Sequence, residues 1–165
     1  MKQLFNPDLK LSDHFKLGEF LRSRTAEVHH IPNIPLKCHI TALQNLCMRC
    51  LEPLRQALGL PIFVSSGYRC PQVNTLAGGA PTSQHLKGEA ADITIPKVHR
   101  PFAHGTDEQI ARLIFSYAQQ YADYDQLILE HQGNKWWVHI SCRIDYRRNR
   151  HKKLKIENGK TTEID

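Results

Sequence analysis

Ser83-Gln84-His85-Leu86-Lys87-Gly88-Glu89-Ala90-Ala91-Asp92 is the stretch around which the chain organises, together with Trp137-Val138-His139 farther on. His85 and Asp92 are seven positions apart with Gly88 between them, so a helical i, i+4 pairing does not fit. A turn running into a strand does. From Glu89 to Ile95 the pattern ends in polar and apolar alternation, which puts Asp92 and Thr94 on one face and Ile93 and Ile95 on the other. Trp136 to Ile140 is a second strand-like run, in which His139 shares a face with Trp137. Two imidazoles and a carboxylate, each on a stiff element, make a donor set for zinc, which in hydrolytic sites takes three protein ligands and leaves a fourth position open. His85, Asp92 and His139 are the predicted ligands.

The chain holds ten histidines, and a single one of them would ordinarily be a surface or hydrogen-bonded residue. What singles out this pair is the combination with Asp92, the small residues around it, and a tryptophan-rich strand. Ser83-x-His85-x(6)-Asp92, Trp137-Val138-His139 and the preceding Ser66-Gly67-Tyr68-Arg69 together resemble the zinc D-alanyl-D-alanine peptidases, murein peptidase family M15, which include bacterial and phage wall-cleaving enzymes. The resemblance extends to Leu11-Ser12-Asp13-His14-Phe15, Glu19-Phe20, Leu51 to Arg55, Asn74 with Gly78-Gly79, Asp125 to Ile128 and Arg148-Asn149-Arg150, so it covers about residues 11–155.

That resemblance implies an α+β fold of the hedgehog-like, D-Ala-D-Ala peptidase type: a small, mainly antiparallel sheet with covering helices, one zinc per chain, and hydrolysis of a peptide bond in a peptidoglycan stem peptide. It implies that Ser83 and Gln84 line the substrate site. Arg69, at the end of a short strand Pro61 to Ser65, matches the family's arginine, and its planar fork of donors suits a developing oxyanion. The chain departs from several relatives at one place: the position three before the second histidine, where they carry the catalytic acid, is Trp136. Gln126 to Glu130 and Trp136 to Ser141 read as a hairpin turning at Gly133-Asn134, which brings Glu130 near Val138 or Trp137 and makes it the substitute general base. Asp125 is the alternative carboxylate, and a zinc module without efficient hydrolysis is the alternative function.

Length fits one domain spanning 1–165, divided into an N-terminal helical cover over about 11–58, a zinc-site sheet over about 61–141 and a basic strand or hairpin over 143–165. Thr41 to Leu58 has the clearest helical periodicity, with a Thr41/Gln44 capping box, a break at Pro53 and a left-handed stop at Gly59. Thr106 to Tyr121 is the second helix, its apolar face running through Ile110, Leu113, Ile114, Tyr117 and Tyr121. Cys70 to Thr82 reads as a loop beside the cleft, and Pro96 to Gly105 as a loop whose His99 and His104 are not assigned to metal. His14, His29 and His30 read as solvated or capping.

Five cysteines include Cys47-Met48-Arg49-Cys50, which sits inside a helical pattern without a second pair and reads as buried thiols; a disulfide at Cys70 or Cys142 stays open. No apolar run approaches the roughly 18 residues of a membrane span, and Met1 to Pro7 lacks the apolar core of a signal peptide, so delivery to a wall would need a phage lysis system or a leader. The net charge is +6, concentrated in Arg143, Arg147, Arg148, Arg150, Lys152, Lys153 and Lys155. That patch suits anionic wall polymers or serves solubility; a polyanion-binding domain is the rival, but no nucleic-acid motif accompanies it.

Overall fold

A computed structural model describes residues 5–101 and 105–164. Residues 1–4, 102–104 and 165 lie outside it, and with them His104 and the start of the N-terminal stretch discussed above. Among the described residues no helix is long and apolar enough to cross a membrane.

The helical cover begins with two short helices, α1 (Leu17–Leu21) and α2 (Arg24–Val28). Helix α3 (Lys37–Leu46) follows, a π-helical turn (Cys47–Leu51) interrupts, and α4 (Glu52–Leu58) ends at Gly59 with φ +64. The start differs from the expected Thr41. Pro35 ends the preceding segment, and the Leu36 N–H is accepted by the His39 ring at 3.1 Å, so helix forms one turn earlier. Thr41 lies inside it, donating its hydroxyl back to the Lys37 carbonyl. The expected break at Pro53 takes the form of the π turn. Pro53 has no N–H for the Arg49 carbonyl, which instead accepts the Asp123 N–H at 3.1 Å. The irregularity thus ties the helix to the entry of the sheet.

Six strands form one sheet in the order β1-β2-β4-β3-β5-β6: β1 (Phe63–Ser66), β2 (Ala90–Thr94), β3 (Gln126–Gln132), β4 (Lys135–Ser141), β5 (Lys152–Glu157) and β6 (Lys160–Glu163). The sheet is mixed. Four pairings are antiparallel, whereas β5 runs parallel to β3, because the chain leaving β4 crosses back before adding its last hairpin. That hairpin turns at Asn158 and Gly159, both at positive φ as a two-residue turn of this kind requires.

Cys70 to Thr82 is not wholly loop, since α5 (Pro71–Leu76) forms there with proline at its first turn. Helix α6 (Asp107–Tyr121) has the expected reciprocal cap: Gln109 N–H donates to Thr106 Oγ1 and Thr106 N–H to Gln109 Oε1. Its buried face is rotated from the expected one. Ile110, Ala111, Ile114, Phe115 and Ala118 are buried and Tyr121 is exposed, the alanines letting α6 approach β3, β4 and α4.

Alternation then sorts the sheet into two faces. Leu127, Leu129, Val138, Ile140, Ala91 and Ile93 enter the core with α4 and α6. Gln126, Ile128, Glu130, Trp137, His139 and Asp92 line an open cleft on the other side. All five cysteines are free, and Cys47, Cys50 and Cys142 are buried.

Candidate active site

Strand register builds the site. Asp92 on β2 is paired with His139 on β4, so their side chains rise side by side from the same face. His85 arrives from a 3₁₀ turn (Gln84–Lys87) that closes at Gly88, where φ is +70 and a Cβ would stand 2.5 Å from the His39 carbonyl oxygen. Ser83 caps this turn by accepting the His85 N–H at 3.3 Å.

Three donor atoms converge. His139 Nδ1 lies 3.0 Å from Asp92 Oδ1, His85 Nε2 lies 3.3 Å from the same oxygen, and the two ring nitrogens are 3.2 Å apart. Ligand atoms about 2.0–2.1 Å from a tetrahedral ion stand about 3.3 Å from one another, so the triangle has the dimensions of a zinc site. The tautomer of His85 fits as well. Its Nδ1 is 2.6 Å from the Gly67 carbonyl, which can only accept, so Nδ1 carries the proton and Nε2 presents a lone pair.

Burial pushes the His85 pKa down, keeping the ring neutral. Burial would raise the Asp92 carboxyl, but the two imidazoles outweigh it and hold the group well below the usual carboxylate range. A neutral imidazole beside an ionised carboxylate is the protonation state that metal binding needs.

Arg69 stands behind Asp92. Its Nη2 donates to Asp92 Oδ2 at 2.9 Å and its Nε to Ser66 Oγ at 2.9 Å, while Nη1 has no partner among the described residues. Glu130 sits opposite Trp137 on the neighbouring strand, as the hairpin reading required, and lines the same cleft. Burial, reinforced by the charge of Asp92, raises its pKa against the opposing influence of His139, the Trp137 indole and Arg69. Trp136, by contrast, packs toward the core and stacks on His131 at 4.0 Å between ring centroids.

Asp125 is not available for proton transfer. It is fully buried, and Arg143 Nε at 2.8 Å and Arg150 Nη2 at 2.6 Å bind its two oxygens. Burial opposes ionisation, yet the Arg150 and Arg143 hydrogen bonds bring its pKa down to about 2. Gln84 donates through Nε2 to Glu89 Oε2 at 3.3 Å, and its Oε1 is buried with no partner among the described residues. Glu89 went unassigned in the sequence. Its signal was a charged residue set against Ala90-Ala91 at the head of a buried strand; it also accepts the Ile144 N–H at 3.1 Å.

The basic tail is less free than its charge count suggests. Arg150 is committed to Asp125, Arg147 to Asp145, Lys152 to Glu163 and Lys155 to Glu157. Arg148 and Lys153 have no ion-pair partner among the described residues.

The sequence model of the family Peptidase M15 matches residues 13–141. The chain belongs to the peptidase M15 family. No curated protein matches it individually. The match ends at Ser141, so the M15 region holds Arg69, His85, Asp92, Glu130 and His139, while the Arg143–Arg150 segment and the last hairpin lie beyond it.

Proposed function

We propose that this M15 peptidase is a zinc enzyme hydrolysing peptide bonds in peptidoglycan stem peptides, as a carboxypeptidase or an endopeptidase. The observation that carries this reading is the triangle of His85 Nε2, Asp92 Oδ1 and His139 Nδ1 opening into the cleft that Glu130 also lines. Zinc held by those atoms would supply Lewis acidity toward the scissile carbonyl and bring the pKa of water to about 7.

The chain's own residues divide the remaining work. Glu130 takes the proton of the attacking water and returns it to the leaving amine, a role favoured by a pKa raised toward the working range. Arg69 holds Asp92 through Nη2 and offers Nη1 to the developing oxyanion. Ser83 and Gln84 line the cleft, with Ser83 placed to contact the substrate's backbone or terminal groups. A cleft of about 1020 Å³ accommodates a peptide of several residues.

Elemental analysis and product release from purified peptidoglycan test this on wild type, His85→Ala and Glu130→Ala. Expected are about one zinc per chain, lost with His85, and cleavage lost with Glu130 while zinc is kept. Stoichiometric zinc with no cleavage by wild type would favour a non-catalytic binding module of the same fold. No zinc would sink the reading.

A further inference from the structure

Beyond His139 the chain continues along the cleft to Arg143 and then folds through a 3₁₀ turn (Tyr146–Arg148) that is held from several sides. Asn45 Nδ2 donates to the Arg143 carbonyl at 2.9 Å, and Asn149 Oδ1 accepts the Arg143 N–H at 3.0 Å. Arg49 lies 3.1 Å from the Tyr146 ring centroid, and Asn149 Nδ2 donates to the Asp123 carbonyl. The turn is therefore a fixed platform.

Its charges do not cancel. Asp145 is occupied by Arg147, and the single carboxylate of Asp125 faces both Arg143 and Arg150. Glu89, the other acid at this end, accepts from the Ile144 N–H and from Gln84. Arg143, Arg148 and Arg150 against Asp125 and Glu89 leave one cation in excess. The Arg148 side chain is the one with no hydrogen-bond or ion-pair partner among the described residues, and it lines the cleft. The Nη atoms of Arg143, also cleft-lining, have no partner either.

We propose that Arg148, assisted by Arg143, is a specificity subsite for a free carboxylate on the bound peptide. From His139 to Arg143 is four residues, the first two still in β4, so the span is at most roughly 14 Å. An extended peptide covers that in about four residues. In stem peptides the group that fits is the α-carboxylate of the γ-linked D-glutamate, which some walls carry as an amide. An arginine fork separates the two because it binds a carboxylate with charge-assisted hydrogen bonds and gains little from a carboxamide. The proposal rests on the peptidase reading for its choice of ligand.

The test is equilibrium binding of two synthetic stem pentapeptides, identical except for D-isoglutamate or D-isoglutamine, to the zinc-loaded protein and to Arg148→Gln, both in a Glu130→Gln background that leaves the peptides uncleaved. The exposed Arg148 side chain makes no hydrogen bond or ion pair within the described residues, so the variant should melt with the wild type. Wild type should prefer the carboxylate peptide about tenfold, and the variant should lose that preference while binding the amide unchanged. An equal preference in both proteins, no preference in wild type, or no binding of either peptide overturns the subsite. Product release from the same peptides reads the peptidase function separately: cleavage without preference sinks only the subsite, and preference without cleavage sinks only the peptidase.

Discussion

Arg69 donates to Asp92 Oδ2, the oxygen opposite the one that faces His85 and His139. The arginine therefore neutralises and orients the carboxylate of the His85–Asp92–His139 cluster, and does so from a loop fixed by its own bond to Ser66.

Removing that support should act on both binding and turnover. For Arg69→Ala we expect zinc affinity about 10–100-fold weaker by chelator competition, as for other groups that orient a metal ligand. With saturating zinc, kcat should still fall about 10²–10³-fold through loss of the oxyanion contact. Full recovery of kcat with added zinc would confine Arg69 to holding Asp92.

Glu130→Gln preserves shape and removes the proposed base. Turnover should drop about 10²–10⁴-fold with zinc content unchanged. A base must be ionised to act, so activity falls as pH drops through its pKa. The acid limb of kcat/KM seen for the wild type should therefore be missing from the residual activity of the variant. A limb that survives the substitution unmoved would belong to another group.

Asp125 ties the sheet to the Arg143–Arg150 segment, and its effect on stability has a defined sign. The folded pKa, about 2, lies below the ordinary 3.8, so the folded state binds fewer protons between those values. Its stabilisation is complete above about pH 4 and lost as pH falls through the folded value, amounting to about 2 kcal/mol. Asp125→Asn should therefore be destabilised at pH 7 and show a flatter fall in urea stability between pH 4 and 2 than the wild type. Parallel curves would contradict this.

Gly67 joins the site to the helical cover. A Cβ there would stand 2.5 Å from the Phe20 carbonyl oxygen, while the Gly67 carbonyl anchors His85 Nδ1. Gly67→Ala should cost about 1–3 kcal/mol in denaturant unfolding and weaken zinc binding together with it. An unchanged metal affinity would separate the anchor from the packing.

Much of this site was legible because it is built from local patterns. Two-residue alternation put His139 with Trp137 and Asp92 with Thr94, and the Gly133-Asn134 turn put Glu130 near Val138 or Trp137, of which the register selects Trp137. The same alternation explains Trp136: three positions from His139 is the opposite face of a regular strand, so that side chain packs on the core while Glu130 faces the cleft. The caps of α6 and the stop at Gly59 were equally local.

Other features depend on partners distant in the chain. Helix α3 starts at Lys37 because the His39 ring reaches back to Leu36, which no Thr-x-x-Gln pattern announces. The buried face of α6 is decided by what β3, β4 and α4 present to it. Parallel pairing of β5 with β3 has no short-range signature, since it depends on how the chain crosses between them. Charge also resists sequence reading: Arg147 and Lys155 find acids two residues away, but Arg150 is drawn to Asp125 across 25 positions.

The sequence by itself determined which residues could bind a metal and which face of each strand they occupy, because those follow from side-chain chemistry and backbone periodicity. Only the tertiary structure decided that Nε2 of His85, Oδ1 of Asp92 and Nδ1 of His139 meet within 3.3 Å, that Asp125 is closed off by two arginines, and that the Arg148 side chain is left unpaired on the cleft among the described residues. Distances and charge pairings of that kind arise from packing between elements far apart in the chain, and no local pattern encodes them.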